Sequence, residues 1–352
     1  MSHILSAMDE CGSRRTIAAR RACLVASRNL SIARQVARPG KIGMQQAVDT
    51  LSSARHMTWP GDMGSERAID THRACAFHTN ASRYVCEASS QASSVLMNAT
   101  AASEALGGRS VYFIGDSLSS QHFHAFACEL HMDREVRAHS TRDISAAGLK
   151  VKCAMRHTNQ PGRLCHISAG EGLQEASSAA VCRILSSSGT LRKGDVVVAN
   201  EGVWRRAYGD DSVVQELQRV GEFAEPGSCV GILRSLGVRL LWRETAAQHF
   251  DRTPTGQYKA GCKLSRCGHC GRITNTTSLL ALNAAVTSRM QSLGVPVLPF
   301  FAPTLPLWDA HVARLSQFVR REHILDCTHW CEPNALFSAL TPVLLQRISK
   351  PH

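Results

Sequence analysis

Short apolar runs recur along the chain from residue 109 onward, and stretches of mixed polarity separate them. Each run is rich in β-branched or aromatic residues, which is typical of strands that are buried on both faces. The runs are VYFIG (111–115), DVVVAN (195–200), RLLWRET (239–245) and VPVLPF (295–300).

Helical patterns lie between these strands, at residues 212–224 and 278–294. Strands that alternate with helices predict an α/β fold, in which a parallel sheet is covered by helices on both faces. Ligands of such sheets bind beyond the carboxyl ends of the strands. Ser117, Asn200 and Thr245 follow three of the predicted strands. We therefore expect them at one edge of the sheet.

The chain divides into three predicted regions. Residues 109–352 form the main domain, and residues 61–108 form an irregular, polar segment packed on it. Residues 1–60 are basic, with nine Lys or Arg against three Asp or Glu. This composition predicts a disordered or targeting segment. It resembles an organelle transit peptide more than a secretory signal. The alternatives are a disordered basic tail and a wrongly predicted start of the chain that replaces a lost membrane anchor.

Composition narrows the class of protein. With 352 residues, 44% of them hydrophobic, the chain can bury a sizeable core. Half of the net charge of +12 lies in the first sixty residues, and aromatic residues make up only 5%, which disfavours nucleic-acid binding. Fourteen cysteines favour the oxidising secretory pathway. Four glycosylation sequons, at Asn29, Asn80, Asn98 and Asn275, agree with it.

Transmembrane anchoring is not expected from this sequence. No apolar run approaches the roughly 20 residues that a helix needs to span a bilayer. No convincing secretory leader is visible either, and the transit-like character of residues 1–60 conflicts with the cysteine content.

Ser117 lies in the sequence Gly-Asp-Ser, between the first strand and a predicted helix. Gly115 permits a sharp turn there. A hydroxyl at this turn lies near unpaired N–H groups at the helix N-terminus, which favour an oxyanion. The residue could therefore be a nucleophile or, equally, an ordinary helix cap.

Asp326 and His329 are the second informative pair, in the stretch ILDCTHWCEPN (324–334). Their spacing lets one tight turn bring the carboxylate to the imidazole and fix its tautomer. The other ring nitrogen is then free for Ser117. A capping aspartate and a hydrogen-bonded core histidine are the structural alternatives.

These motifs resemble those of the plant trichome-birefringence-like polysaccharide O-acetyltransferases, a branch of the PC-esterase group with an SGNH/GDSL hydrolase-like fold. The serine motif is matched by Gly115–Ser119, with Cys128 in the following helix. The closing motif Asp-Cys-x-His-Trp-Cys-x-Pro is matched from Asp326 to Pro333. NEGVW (200–204) and RETAAQHF (243–250), with Cys262 after it, resemble two intermediate segments. The likeness spans about residues 109–347.

The chain departs from the family pattern at several positions. Ser120-Gln121 replaces the usual Arg-Asn, Asn334 replaces the final glycine, and Ala247 replaces a proline. The cysteine-rich N-terminal segment of the plant proteins is not recognisable. The predicted triad is intact, but the departures leave the acceptor open.

The resemblance implies a three-layer α/β/α domain of SGNH type with an irregular N-terminal extension. It makes Ser117 the nucleophile, His329 the general base and Asp326 its orienting partner. The Ser117 N–H, the Asn200 amide and one glycine N–H would hold the oxyanion, the glycine being Gly148, Gly162, Gly170 or Gly172. The oxyanion and substrate-binding set predicted in this way is Asp116, Asn200, Gly202, Trp204, Arg243, His249 and Trp330.

The stretch CKLSRCGHC (262–270) could bind zinc through Cys262, Cys267, His269 and Cys270. No second C-x-x-C completes a usual four-ligand set, and the family context favours disulfides. The same context makes Cys327 and Cys331 disulfide partners that pin the loop of His329. We therefore expect no metal.

The sequence thus predicts an enzyme that transfers an acetyl group through an acyl-serine to hydroxyls of a polysaccharide or glycan. A carbohydrate acetylesterase and a glycan-binding protein without activity are the alternatives. No bound cofactor is expected, but an acetyl donor is required, and a membrane protein could supply it. The expected location is the secretory pathway, in the Golgi.

Overall fold

A computed structural model of the protein describes the domain in segments. They are residues 104–130, 134–135, 149–155, 162–169, 178–200, 227–251, 253–258, 269–311, 315–316, 323–324, 326–330 and 335–349. The predictions for residues 1–60, for most of 61–108 and for the helix at 212–224 lie outside these segments.

Within the described segments, seven strands form one mixed sheet. They are β1 (Val111–Ile114), β2 (Arg134–Glu135), β3 (Leu149–Met155), β4 (Leu164–Ala169), β5 (Val196–Ala199), β6 (Arg239–Arg243) and β7 (Val297–Leu298). Their order is β2-β3-β4-β1-β5-β6-β7, and the five strands from β4 to β7 are parallel neighbours. β2 and β3 pair antiparallel at one edge. A separate hairpin pairs β8 (Leu315–Ser316) with β9 (His323–Ile324).

Helices cover both faces of the sheet. They are α1 (Ser117–Glu129), α2 (Ser178–Ser187), α3 (Cys229–Ser235), α4 (Thr277–Ser292), α5 (Phe301–Thr304) and α6 (Ala335–Ser349). No helix among the described residues is both long enough and apolar enough to cross a membrane.

Alternation along β1 shows how the layers form. Val111 and Phe113 belong to an apolar cluster with residues of α1 and α6. Tyr112 and Ile114 belong to a second cluster with residues of α2, α3 and α4. Successive side chains of a strand point to opposite faces, so a strand covered on both sides is apolar throughout. The result is a three-layer α/β/α arrangement.

Disulfides join neighbouring elements of this domain. Cys153 and Cys165 link paired positions of β3 and β4, and Cys182 and Cys229 link α2 to α3. A third disulfide joins Cys270 to Cys327. Disulfides of this kind are typical of proteins of the secretory pathway or the extracellular space.

The sequence predictions for β1, β5, β6 and α4 are confirmed, and β7 is shorter than its apolar run. The five strands from β4 to β7 are parallel, as predicted, and β3 and the short β2 add an antiparallel edge that was not predicted. β3 was not predicted, because Lys150 and Lys152 interrupt its apolar positions. Such alternation suits an antiparallel strand with one solvated face.

The parallel strands place one crevice at the centre of the sheet. Across the sheet the parallel strands lie in the order β4-β1-β5-β6-β7. When these five strands are numbered by their order in the chain, the spatial order is 2-1-3-4-5. Ligands of doubly wound sheets bind at the carboxyl ends of the strands where the order reverses. That point lies between β1 and β5, next to Ser117 and Asn200.

Candidate active site

The turn after β1 requires glycine at position 115. Gly115 has a φ of 150°, a conformation that residues with a side chain rarely adopt. A Cβ there would lie 2.5 Å from the Ser119 Oγ and 2.6 Å from the Asn200 carbonyl oxygen. The backbone of β5 and the first turn of α1 therefore approach this point too closely for any other residue.

Asp116 performs the capping task at the start of α1. Its Oδ1 accepts hydrogen bonds from the N–H groups of Leu118 and Ser119 at 3.0 and 3.3 Å. These bonds satisfy two of the N–H groups that a helix N-terminus leaves unpaired. The hydroxyl of Ser117, the first helical residue, is free to make a different contact.

That contact is with His329. The Ser117 Oγ lies 2.6 Å from the His329 Nε2, and the His329 Nδ1 lies 2.6 Å from the Asp326 Oδ2. An Nδ1–H that donates to the carboxylate leaves Nε2 unprotonated in a neutral ring, so Nε2 can accept the hydroxyl proton. Both contacts expected from the sequence are present.

The Asp326 carboxylate is held by its own turn. Its Oδ1 accepts from the N–H groups of Thr328 and His329 at 3.0 and 2.9 Å. Burial alone raises the pKa of Asp326, but the His329 ring and the two N–H groups outweigh this and lower the pKa below its usual value. The group is therefore ionised at neutral pH.

Several contacts tie the turn of residues 326–330 to the segment around residue 249. The Cys270–Cys327 disulfide is one of them. The His249 N–H donates to the Cys327 carbonyl at 3.1 Å, and the Gln248 Nε2 donates to the Thr328 Oγ1 at 2.7 Å. Together they hold the Cys327 backbone and the Thr328 side chain in place.

The disulfide confirms the prediction that Cys327 is disulfide-bonded. Its partner is Cys270, and Cys331 lies outside the described residues. The cysteine at position 270 is a disulfide partner, as expected, so its sulfur is not free to join a zinc set. His269 is exposed and lies 3.2 Å from the Asp251 carboxylate. Cys262 and Cys267 lie outside the described residues.

A pair of buried histidines lies behind His329. The His311 Nδ1 is 3.0 Å from the His329 carbonyl oxygen, and the His311 Nε2 is 2.7 Å from the His249 Nδ1. The His249 Nε2 is 3.0 Å from the Leu305 carbonyl. Both outer contacts need an N–H donor, so three full hydrogen bonds need three protons on the two rings.

Burial works against that third proton. Burial and the neighbouring ring lower the pKa of His311 to about 3, and burial lowers the pKa of His249. With both rings neutral, one of the three contacts is not a hydrogen bond. Because His249 is fully buried, its part is to support the turn, and the predicted contact with substrate is not available to it.

Arg243 is buried beneath the turn that leads from β1 into α1. Its guanidinium donates to the Leu118 carbonyl at 2.9 Å, and to the Ser119 Oγ and the Asn200 Oδ1 at 3.2 Å each. Burial lowers its pKa to about 10, with the Asp116 charge opposing this. The cation connects α1 to β5 and β6, and at 1% exposure it has almost no surface to offer a substrate.

Asn200 does not take the predicted oxyanion position in this structure. Its Nδ2 donates to the Arg243 carbonyl at 2.8 Å and to the Thr245 Oγ1 at 3.2 Å. These two bonds use both N–H groups of the amide. The side chain is 1% exposed and joins the ends of β5 and β6.

Trp330 also differs from its predicted place. Its side chain is fully buried in a cluster with Leu118, Phe300 and Phe337, and it stacks on His311 with ring centroids 4.0 Å apart. A ring enclosed in this way packs the turn against α1 and cannot lie against a substrate.

Of the glycines considered for the oxyanion site, the structure places only Gly162. It precedes β4 and lies near Gly108 and Arg109, at the amino-terminal edge of the sheet and therefore away from Ser117. Gly148, Gly170, Gly172, Gly202 and Trp204 lie outside the described residues. Among the predicted oxyanion donors, the Ser117 N–H lies at the start of α1, next to the Ser117 hydroxyl.

Gln121 and His311 are site residues that sequence reasoning missed. Gln121 was noted only as a departure from the family motif, although its spacing from Ser117 places the two residues one helical turn apart. His311 carries no local signal, because its partners His249 and His329 are distant in sequence.

The fold and site together define an α/β protein with a serine, histidine and aspartate in contact at the switch point of a doubly wound sheet. Known protein-family models and curated proteins gave no match to this chain. What the site can do follows from its geometry and its motifs.

Proposed function

We propose that this protein is an acyltransferase of the SGNH type that acetylates hydroxyl groups of a polysaccharide or glycan. The observation that carries the proposal is the chain of two 2.6 Å contacts from Ser117 through His329 to Asp326. The position of these three hydrogen-bonded residues at the switch point of the sheet supports the proposal. The substrate class rests on the resemblance of the two motifs to the plant O-acetyltransferases.

In the first half of the reaction, the Ser117 Oγ attacks the carbonyl carbon of the acetyl donor. The His329 Nε2 takes the hydroxyl proton as the Oγ–C bond forms, and the ionised Asp326 stabilises the resulting imidazolium. The tetrahedral intermediate then collapses. His329 returns the proton to the leaving group, and an acetyl-serine remains.

The start of α1 supplies charge stabilisation for the intermediate. The Ser117 N–H belongs to the first turn of this helix, where the helix dipole favours an oxyanion. Because Asp116 already occupies the N–H groups of Leu118 and Ser119, the Ser117 N–H is the donor from this turn. Removal of one oxyanion donor typically costs a factor of about 100 to 1,000 in rate.

In the second half, a sugar hydroxyl attacks the acetyl-serine, and His329 takes the proton of that hydroxyl. The new ester leaves, and Ser117 regains its proton from His329. Water in place of the sugar gives hydrolysis with the same groups. The donor is an activated acetyl compound, supplied by a membrane protein of the Golgi, and no other cofactor takes part.

Mass spectrometry of an acyl adduct tests the proposal. Brief exposure to an activated acetyl ester should raise the mass of the peptide that contains Ser117 by one acetyl group. The variant Ser117→Ala should give no adduct at that site, and His329→Ala should form it orders of magnitude more slowly, because a triad works as a unit. Ser120→Ala, on the same helix, is the matched control.

Discharge of the adduct separates the alternatives. A transferase should lose its acetyl group faster with a suitable glycan than in water alone, and equal rates across a panel of glycans would indicate a carbohydrate acetylesterase. If the folded protein forms no adduct with any donor, and Ser117→Ala still binds glycans as the parent does, catalysis is refuted and a glycan-binding protein is the result.

A further inference from the structure

We propose that Gln121 is a positioning residue that holds His329 at a fixed distance from Ser117 by clamping the backbone of Trp330 to α1. The inference rests on the proposed function, since it concerns the geometry of the same triad. It adds a residue to which neither the motif nor the resemblance gives a role.

Both polar ends of the Gln121 amide bind one residue. Its Nε2 donates to the Trp330 carbonyl at 2.9 Å, and its Oε1 accepts from the Trp330 N–H at 3.2 Å. Gln121 is 2% exposed and Trp330 is fully buried. Two bonds in a closed ring fix both the distance and the orientation of the Trp330 peptide groups, and burial removes competition from water.

The position of the clamp relates it to the reacting atoms. Gln121 is one helical turn beyond Ser117 on α1, and Trp330 is the residue directly after His329. Two bridges therefore run side by side from α1 to the turn of residues 326–330, one between Ser117 and His329 and one between Gln121 and Trp330. The other anchors of the turn, such as the Cys270–Cys327 disulfide, attach it to different segments.

Only one of the two bridges can survive the reaction unchanged. The hydrogen bond from Ser117 to His329 is lost when the Ser117 oxygen becomes acylated. The Gln121 amide neither titrates nor reacts, so its bonds to Trp330 persist and keep His329 in place for the second half-reaction. A displacement of about 1 Å at a reacting group can cost about a hundredfold in rate.

The variant Gln121→Glu tests the clamp through pH. A protonated carboxyl group has one O–H donor and a carbonyl acceptor, which can replace the one N–H and the oxygen of Gln121 that bind Trp330. An ionised carboxylate has no donor and faces the Trp330 carbonyl oxygen. Burial raises the pKa of such a carboxyl group above its usual value of about 4.3. The ratio of acylation rates, Gln121→Glu over wild type, should therefore fall at least about tenfold as pH rises.

Taking this ratio removes any pH dependence that the two proteins share. The matched control is Gln346→Glu, the same change at an exposed position of α6, for which the ratio should stay flat. Gln121→Met, similar in size but without either bond, should acylate at least about tenfold more slowly at every pH. Circular dichroism at each pH checks that the variants are folded.

Two results would overturn the proposal. One is a flat pH ratio for folded Gln121→Glu, and the other is wild-type acylation by folded Gln121→Met. If wild type itself forms no adduct, the hydrogen-bonded proton between His329 and Asp326 is followed by NMR instead. Its signal should shift or broaden in Gln121→Met, and an unchanged signal would refute the clamp independently of any activity.

Discussion

Asp116 and Ser117 are adjacent residues after β1, and the side-chain oxygen of either could cap α1 or bind His329. Asp116 caps α1 with one carboxylate oxygen, and Ser117 directs its hydroxyl to His329. The division has a geometric cause. An N-cap side chain folds back onto the N–H groups of its own helix, whereas the side chain of the first helical residue points away from the axis. Gly115 makes the turn between strand and helix possible.

At this scale we predict the effect of Asp326→Asn. The asparagine oxygen can keep the bonds to the N–H groups of Thr328 and His329, but its NH₂ group then donates to the His329 Nδ1. This forces the proton onto Nε2, where it faces Ser117, and the base is lost. Formation of the acyl-serine should fall by about ten-thousandfold, as measured by single-turnover mass spectrometry.

The exposed Asp309 provides the control for this change. Asp309→Asn should leave the rate of acylation within about twofold of wild type. A loss of less than tenfold in Asp326→Asn, with the fold intact, would mean that Asp326 does not set the tautomer of His329.

Among the elements, the turn of residues 326–330 depends most on distant partners. It is not part of a helix or an extended strand, yet its residues are almost fully buried. Gln121 of α1, Gln248, His311 and the Cys270 sulfur each hold a different part of it. A short irregular segment that carries the proposed base needs such anchors, because its own backbone bonds are few.

The double variant Cys270→Ser/Cys327→Ser tests this dependence. The disulfide joins residues with a sequence separation of 57. Removal of a cross-link that closes a loop of this length should lower the free energy of unfolding by about 4 kcal/mol. Denaturant unfolding of the variant and of the parent, both prepared under oxidising conditions, measures the difference.

Acylation should fall as well, because the bond is next to Asp326. Cys153→Ser/Cys165→Ser is the control, since that disulfide lies in the sheet. It should affect stability without an added loss of rate in the protein that remains folded. Equal losses of rate in the two folded variants would contradict a specific role for the Cys270–Cys327 bond in the turn.

The whole molecule buries histidines that the proposed mechanism does not use. His122 is fully buried between Phe113 and Phe337. Burial, and then the Arg243 charge, lower its pKa well below the usual value. Burial and the Lys152 charge lower the pKa of His166 to about 4, against hydrogen bonds to the backbone of Asp116 and Gly115. Both rings are therefore neutral in the folded protein down to acidic pH.

This predicts a loss of stability in mild acid. Both folded pKa values lie below the unfolded value of about 6.5, so below that pH the unfolded chain binds protons that the folded chain does not. The contribution of the two neutral histidines to the free energy of unfolding is fully present above about pH 6.5 and is lost as the pH falls toward 4. Each histidine contributes a slope of up to about 1.4 kcal/mol per pH unit. Urea unfolding between pH 7.5 and 5 measures it.

His122→Phe should reduce this slope, because phenylalanine keeps the stacking but cannot bind a proton. The exposed Gln346 serves as the control, and Gln346→Phe should leave the slope as it is. A parent protein whose free energy of unfolding is constant from pH 7.5 to 5 would show that the buried rings do not control acid stability.

Much of this architecture was visible in the sequence wherever the signal is local. β1, β5 and β6 are short runs that are apolar on both faces, and their alternation with helices predicted the layers. β3 was not predicted, because Lys150 and Lys152 interrupt its apolar positions and mask the strand pattern. The spacing of Asp326 and His329 predicted their contact, since a tight turn needs only neighbouring residues to form.

The sequence by itself determined the Gly-Asp-Ser turn, the aspartate-histidine turn and the class of fold, because residues close along the chain generate each of these. Tertiary structure alone decided that Cys270 pairs with Cys327, that Gln121 clamps Trp330 across 209 residues, and that Asn200, Arg243 and Trp330 face the interior. These features depend on which surfaces meet when the sheet and its helices pack. Burial and long-range pairing follow from that packing, and no local pattern of residues encodes them.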